Sequence, residues 1–223
     1  VDLIIGLPGV TNDSWNKTLD SVLSFPIKHM SLYHLTIYHH TKIFHEIRKG
    51  TVKLPNADKI MDQYEETRNR LFSSGFSQYE VSNFAKPGNE SIHNKAYWDH
   101  VPYKGFGISA SSFDGTFRFT NEKNLISYMD RIETGKVSTN NAGLFFEELS
   151  SEQIKMERLM LGLRQSSGLN EEEIFLLSSE IKENLSAKID LLETNGLVER
   201  NSGQVSLTPQ GMIVESGVIE SLL

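Results

Sequence analysis

The sequence VDLIIGLPG at residues 1–9 predicts a buried β-strand that leads directly into a glycine-rich turn. Asp2 is the one charged residue in the apolar run that opens it. A helix is expected over residues 11–25 and a second strand over residues 29–37. Strand, helix and strand in this order favour a parallel sheet with right-handed crossovers. A closed eight-fold barrel needs ~250 residues, so residues 1–146 predict an incomplete barrel, or the second half of a larger one.

The rest of this first segment continues the alternation of helices and strands. A long helix is expected to begin after Asn56, its N-cap, and to end at Gly75. The later elements predicted from apolar patterning are strands over 76–84 and 103–109, a hairpin turn at Asp114-Gly115, and a helix over 122–133 that Gly135 stops. The predicted fold class is α/β.

A shift in charge marks a second domain that begins near residue 147. Residues 1–146 hold 16 Lys and Arg against 15 Asp and Glu, whereas residues 147–223 hold 6 against 14. Ser150 and Gln153 match a capping box that begins a new helix. Two more helices, a short hairpin over residues 198–207 and a last helix then predict a small winged-helix-like α+β domain.

Winged helices often bind DNA, but the charge of this domain argues against that function. A net charge of −8 repels phosphate, and the helix over residues 179–195, which would enter a groove, is itself acidic. We therefore predict no nucleic-acid partner and interpret residues 147–223 as a packing or interaction domain.

The composition excludes several classes of protein. The 223 residues include no cysteine, which rules out disulfides, thiolate metal sites and cysteine-ligated iron–sulfur clusters within the chain. No apolar run approaches the ~20 residues that span a bilayer, and Asp2 stands where a signal peptide would be basic. A cytoplasmic protein without an integral membrane segment is predicted. Because the chain begins inside a strand and without Met, we expect it to be part of a longer protein.

Two groups of residues give weak signals for a functional site. Asp2 would lie on the ligand side of a parallel sheet, although an ordinary strand–helix turn explains the glycines after it equally well. Five histidines between His29 and His45 could bind a metal, but their spacing fits no ligand pattern. Exposed loop histidines, among them His39 and His40, are the better interpretation.

A denser cluster, His93-Asn94-Lys95-Ala96-Tyr97-Trp98, places a histidine, an amide and two large aromatic rings within six residues. An imidazole can bind haem iron, and Tyr and Trp can stack on a flat macrocycle. The residues alone modestly favour a helical turn fixed by aromatic packing instead. Nearby, Gly105 and Gly107 suit the close approach of a ligand, or a bend in a sheet.

Taken in order, these motifs resemble one family. Asp2-Leu3-Ile4-x-Gly6-Leu7-Pro8-Gly9, Ser31–Ile37, Tyr79–Ala85 and His93-Asn94-x-x-Tyr97-Trp98 follow the order and spacing of radical S-adenosylmethionine (SAM) proteins related to oxygen-independent coproporphyrinogen III oxidase. The last motif is similar to the haem-chaperone (HemW-like) branch rather than the oxidase (HemN-like) branch. The resemblance implies the C-terminal part of a radical SAM barrel, lacking the cluster-binding N-terminus and followed by a winged-helix-like domain.

The resemblance also implies cofactors and site residues. The full-length form would bind SAM and haem, and cysteines outside this chain would hold a [4Fe–4S] cluster. The residues implied for SAM are Asp2, Ile4, Thr36, Gly105, Gly107 and Ser109. The residues implied for haem are His93, Asn94, Tyr97 and Trp98, with His93 as the ligand of the haem iron. The chain departs from the family pattern at Ser91, Ile92 and Ser111, where Cys, Arg and His are common.

Three functions follow from the resemblance and the charge pattern. The first is a haem chaperone, whose partners are haem and a haem-accepting protein. The second is oxidative decarboxylation of coproporphyrinogen III to protoporphyrinogen IX. The third is a purely protein-binding module that docks through the acidic domain. Without a cluster motif, these 223 residues alone are expected to be catalytically inert, and no catalytic residue or oligomeric state is predicted.

Overall fold

The apolar stretch at the start of the chain forms the first strand of a four-stranded sheet. Strand β1 (Asp2–Ile5) pairs in parallel with β2 (His29–His34), as predicted. Strands β3 (Ser77–Glu80) and β4 (Asn83–Ala85) complete the sheet in the order β1-β2-β4-β3. Both pairings of β4 are antiparallel, so the sheet is mixed, and the prediction of a parallel sheet holds only for its first two strands.

The difference arises at Val81 and Ser82. The sequence predicts one continuous strand over 76–84, which is wrong, because the chain reverses at these two residues and forms a hairpin. Two-residue hairpin turns usually contain Asn-Gly or another glycine pair, and neither occurs here. The pairing register also shifts between Gln78 and Glu80, which is typical of a β-bulge.

Three helices belong with this sheet: α1 (Asn12–Leu23), α2 (Lys42–Arg48) and α3 (Ala57–Ser73). Thr11 caps α1 and Asn56 caps α3, because each side-chain oxygen accepts from a free N–H of the first turn. A buried hydrogen bond of 2.8 Å from Trp15 Nε1 to Thr67 Oγ1 joins α1 to α3. The buried apolar side chains of this region are Ile5, Trp15, Leu19, Met30, Leu32, Tyr64, Leu71, Phe76 and Phe84.

A second, antiparallel sheet follows helix α4 (Ile92–Trp98). Its strands are β5 (Ser111–Phe113), β6 (Phe117–Thr120) and β7 (Phe145–Glu148), in the order β5-β6-β7. Helix α5 (Leu125–Thr134) lies between β6 and β7 in the chain. The predicted turn at Asp114-Gly115 joins β5 to β6.

The predicted strand over residues 103–109 is wrong, because this segment is a loop apart from one bridge at Tyr103. Gly107 and Ser109 have φ of 94° and 58°, which an extended strand does not allow. Gly135, the predicted stop of the helix before it, lies outside the described residues.

The C-terminal elements form a helical domain with a hairpin wing, as predicted. The elements are α6 (Ser151–Leu163), β8 (Leu169–Asn170), α7 (Glu171–Leu177), α8 (Lys182–Thr194), β9 (Val198–Asn201), β10 (Gln204–Leu207), α9 (Pro209–Ile213) and α10 (Glu215–Leu222). The predicted capping box of Ser150 and Gln153 begins α6. The strands pair antiparallel in the order β8-β10-β9. The core is lined by Leu159, Leu163, Ile174, Leu185, Ile189, Val205 and Ile219.

The structure, a computed structural model, describes residues 1–134, 145–177 and 182–223. These fall into two compact units, Val1–Ser91 and Ile92–Leu223. The division into domains 1–146 and 147–223 stays a prediction. Within the described residues, none of the helices has the length and apolar character needed to cross a membrane.

Candidate functional site

Strand β1 places two of the predicted SAM residues on one face of the sheet. Asp2 is exposed and Ile4 is 42% exposed, whereas Ile5 on the opposite face is fully buried, as the alternation of side chains in a strand requires. Asp2 is the first residue of β1, and Thr36 is exposed just beyond the end of β2. The turn after β1 depends on Gly6, whose φ of 78° favours glycine and whose N–H donates to Gln63 Oε1.

The pairing register aligns four polar residues across this sheet. Asp2 pairs with Ser31, Ser31 with Asn83, and Asn83 with Glu80. Asp2, on the edge strand, is exposed, whereas the other three are at most 5% exposed. We call these four residues the polar row.

Glu80 is the most unusual member of the polar row. It is fully buried, and neither of its carboxylate oxygens has a hydrogen-bond partner among the described residues; the same is true of Asn83 Oδ1. Burial raises the pKa of Glu80 above its ordinary value, and the nearby Asn83 side chain and the backbone N–H groups of Ser82 and Asn83 oppose this rise less strongly. None of these donors is placed well enough to form a hydrogen bond with the carboxylate. Buried acceptors normally have donors, so these three oxygens are an exception among the described residues.

The loop with the other three predicted SAM residues is a rigid hydrogen-bonded turn in the second unit. Gly105 N–H donates to Ser112 Oγ at 2.9 Å, and Gly107 N–H donates to Tyr128 OH at 3.0 Å. The carbonyls of both glycines accept from Asn121 Nδ2. A Cβ on Gly105 would lie 2.1 Å from the carbonyl oxygen of Ser111, so only glycine fits there.

Ser109, the third residue, is exposed at the end of this loop with a left-handed backbone. The loop also holds Phe106 and Ile108 outward, with exposed fractions of 83% and 46%. Helix α5 adds Ile126 and Ile132 as strongly exposed apolar side chains of the same unit.

Helix α4 contains the four predicted haem residues. His93 is exposed, and its ring meets Tyr97, one turn later, edge-on at 4.7 Å between ring centroids. Asn94 and Trp98 form the neighbouring i, i+4 pair and are half-buried. Tyr97 is 38% exposed and also meets Tyr103 edge-on at 4.6 Å. The His93 ring is therefore held by a chain of aromatic contacts that continues into the protein, and its nitrogens can reach a ligand.

A cavity of about 270 Å³ lies on the inner side of Tyr97. Its lining is mostly apolar and aromatic, and it comprises Tyr97, His100, Val101, Tyr103, Phe113, Arg118, Glu157, Met160 and Leu161. Burial raises the pKa of Tyr103 above its ordinary value. The His100 and Phe113 rings lie 4.4 Å apart between centroids.

The polar groups in this lining are paired with one another. Arg118 Nη2 donates to Glu157 Oε1 at 2.7 Å, and His100 Nε2 lies 3.1 Å from Glu157 Oε2. Glu147 is a second carboxylate beside Arg118, at 3.7 Å. The hydrogen bond that Arg118 donates to Glu157 raises the pKa of Arg118 above its ordinary value. The guanidinium is thus shared by two carboxylates.

The histidine-rich stretch does not form a metal site in the described part of the chain. His39 and His40 are exposed, as expected of loop histidines. Among the described residues, no group of three His, Asp or Glu side chains is arranged to hold a metal ion.

Sequence reasoning missed the polar row beyond Asp2 and the aromatic cavity behind Tyr97. Glu80 and Asn83 lie within a motif that the sequence singles out, but only strand pairing shows that they align with Asp2. Tyr103 joins the predicted haem residues through a ring contact across a loop, which no local spacing indicates.

Comparisons with known proteins agree with this architecture. Residues 149–214 match the family model described as the HemN C-terminal domain. A solved structure titled as coproporphyrinogen III oxidase (HemN) from Escherichia coli, a radical SAM enzyme, matches 99% of this chain and 54% of its own, with a TM-score of 0.72 and 22% identity. That likeness shows a shared fold. The chain therefore has the fold of HemN-related radical SAM proteins, and its C-terminal part matches their C-terminal domain.

Several of the curated proteins that match the chain are named heme chaperones. The chain is 30% identical to Heme chaperone HemW of Mycobacterium tuberculosis and 30% identical to that of Bacillus subtilis, over its whole length in both cases. It is 31% identical to the mitochondrial radical S-adenosyl methionine domain-containing protein 1 of Mus musculus, over 88% of the chain. The chain spans 54%, 58% and 48% of these three relatives, about half of their length.

Proposed function

We propose that this chain is part of a haem chaperone that holds haem at helix α4 in the cytoplasm and passes it to an accepting protein. The observation that supports this most is the exposed His93, whose ring is fixed edge-on against Tyr97. Similarity to HemW proteins along the whole chain also supports it. A neutral imidazole nitrogen is a common axial ligand of haem iron.

The residues of α4 would divide the work of binding. His93 would bind the iron, and Tyr97 and Trp98 would cover part of the macrocycle with aromatic surface. Because His93 is exposed, an accepting protein can approach the iron without first opening a buried pocket. Such a site suits a carrier that must both hold and release its cargo.

We also propose that Asp2, Ile4 and Thr36 of the first unit contribute to SAM binding by the full-length protein. For Gly105, Gly107 and Ser109, contact with SAM stays a prediction. An exposed carboxylate at Asp2 can accept hydrogen bonds from hydroxyl or amino groups, and Ile4 offers apolar contact.

A reduced [4Fe–4S] cluster held outside this chain would supply the one electron that cleaves bound SAM into methionine and a 5′-deoxyadenosyl radical. The 223 residues contain no cysteine to hold that cluster. The role assigned to this chain is to bind and orient haem and SAM.

A haem titration followed by the Soret absorption tests the haem proposal. Wild type should give a saturable Soret shift that the His93→Ala variant loses. The matched control is His39→Ala, which removes an exposed loop histidine of the other unit and should bind haem as wild type does. An identical Soret response in wild type and His93→Ala would show that the assignment is wrong.

A further inference from the structure

The cavity behind Tyr97 is too small for a whole tetrapyrrole and too apolar for a charged metabolite. Its volume of about 270 Å³ lies below the roughly 300–1,000 Å³ typical of pockets that enclose a small molecule. Its walls are largely rings and aliphatic side chains, including Val101, Met160 and Leu161. Such a cavity accepts one apolar edge of a larger ligand that otherwise remains outside.

Tyr97 connects this cavity to the proposed haem ligand. One set of ring contacts joins Tyr97 to His93, and another joins it to Tyr103 in the cavity wall. The cavity and the imidazole are thus separated by the thickness of one side chain. A macrocycle with its iron near His93 is wide enough to extend past Tyr97.

The electrostatics of the cavity disfavour an anionic substituent. Arg118, the one cation with a permanent charge in the lining, already binds Glu157 and lies beside Glu147. A carboxylate entering here would meet two carboxylates that compete for the same guanidinium. Burying an unpaired charge is strongly unfavourable, whereas burying a vinyl or methyl group is favourable.

We propose that this cavity receives the apolar, vinyl-bearing edge of the macrocycle and so selects protohaem over tetrapyrroles that carry four propionates. The inference rests on the proposed haem function and adds a specificity determinant to it. Coproporphyrins carry a propionate on every pyrrole ring, so none of their pyrrole rings presents an uncharged pair of substituents. Protoporphyrin IX has its two propionates on neighbouring rings and two vinyl groups on the others.

The ligand arm of the test compares protoporphyrin IX with coproporphyrin III, both metal-free, by fluorescence binding to the same protein. Wild type should bind protoporphyrin IX at least about tenfold more tightly, a difference of about 1.4 kcal/mol. Because neither probe contains iron, this comparison does not depend on the axial ligand. Equal or tighter binding of coproporphyrin III overturns the proposal and favours the oxidase alternative.

The variant arm fills the cavity by a substitution on α6 and leaves the residues of α4 unchanged. Met160→Trp places a large ring into the cavity, whereas Met156→Trp, one turn earlier on α6 and 47% exposed, adds the same ring outside it. Met160→Trp should weaken protoporphyrin IX binding about tenfold, and Met156→Trp should leave it unchanged. Thermal unfolding of both variants shows whether Met160→Trp is folded. If it is not, Val101→Asp, which adds a carboxylate to the lining, replaces it with the same expected loss.

These outcomes separate the cavity from the haem ligand. Loss of the Soret shift in His93→Ala together with equal binding of the two porphyrins would leave the haem function standing and overturn the cavity proposal. The reverse result is selective binding of protoporphyrin IX that Met160→Trp abolishes, together with an unchanged Soret shift in His93→Ala. That result supports the cavity proposal and overturns the assignment of His93 as the haem ligand. Absence of any tetrapyrrole binding contradicts both.

Discussion

Replacing Glu80 with glutamine should stabilise the ligand-free protein at neutral and alkaline pH, although the substitution removes a charged residue. Glu80 is fully buried, and its carboxylate oxygens lack hydrogen-bond partners. Burial raises the pKa of Glu80 in the folded state, whereas in the unfolded chain it stays near ~4.3. Neutral Glu80 therefore makes its full contribution to the stability of the folded protein at a pH below its pKa in the unfolded chain. That contribution is lost as the pH rises through its pKa in the folded protein.

The size of the effect follows from the missing partners. Leaving a buried polar group unsatisfied costs about 1–3 kcal/mol, and more when it is charged. Glutamine keeps the shape and one of the acceptors, so it removes the charge but not the whole cost. We expect Glu80→Gln to gain about 1–2 kcal/mol at alkaline pH, which corresponds to roughly 2–8 °C in Tm for a chain of this size.

Thermal unfolding followed by circular dichroism, at a pH near 8 and again near 4, measures this gain. The control is Glu65→Gln, which removes the same charge from an exposed position on α3 and should change Tm little at either pH. Glu80→Gln should exceed wild type at the higher pH and lose that advantage at the lower one. A gain that does not depend on pH, or no gain at all, would refute the account of Glu80 as a buried group without donors.

Three further substitutions test the structural account through Tm. Gly105→Ala should destabilise the protein by about 1–3 kcal/mol, because its Cβ would meet the Ser111 carbonyl at 2.1 Å; an unchanged Tm would mean that the loop is not held as described. Gly217→Ala, on α10 with open space around its Cβ, should instead stabilise by about 0.5–1 kcal/mol through helix propensity, and a loss would contradict the open space. Thr208→Ala removes the N-cap bond to Gly211 N–H at 3.0 Å and should cost about 0.5–2 kcal/mol, whereas Thr208→Ser should recover most of it.

Those parts of the fold that local chemistry determines were predictable. Asn56 and Ser150 each cap the helix predicted to follow them, because a cap depends on a few neighbouring residues. The first strand was predictable for the same reason, since its apolar run ends at Gly6. The winged-helix-like arrangement followed from a helix, a turn and a short hairpin in sequence order.

The parts that depend on pairing between distant segments were not predictable. The hairpin at Val81-Ser82 lacks turn residues, so apolar and aromatic residues on both sides read as one strand. The sequence predicts a strand around Gly107 because the residues there favour β-structure. It does not show that the side chains of Ser112 and Tyr128 accept hydrogen bonds from the backbone and hold this segment as a loop.

The candidate site was predictable as motifs but not as an arrangement. His93 and Tyr97 are four residues apart, and their ring contact follows from helical spacing. The alignment of Asp2 with Glu80 depends on the pairing of strands that are distant in the sequence. The contact of Tyr97 with Tyr103 depends on the path of the loop after helix α4. The buried carboxylate could not be foreseen, because burial is a property of the packed structure.

The most direct test of the haem assignment is the resonance Raman spectrum of the ferrous haem complex. An iron–histidine stretching band should be present in wild type and in the His39→Ala control, and it should shift when histidine is labelled with ¹⁵N. In His93→Ala the band should be absent, because no other histidine is assigned to the iron. If the band persists unchanged in His93→Ala, haem is held by another residue, and the proposed role of helix α4 is wrong.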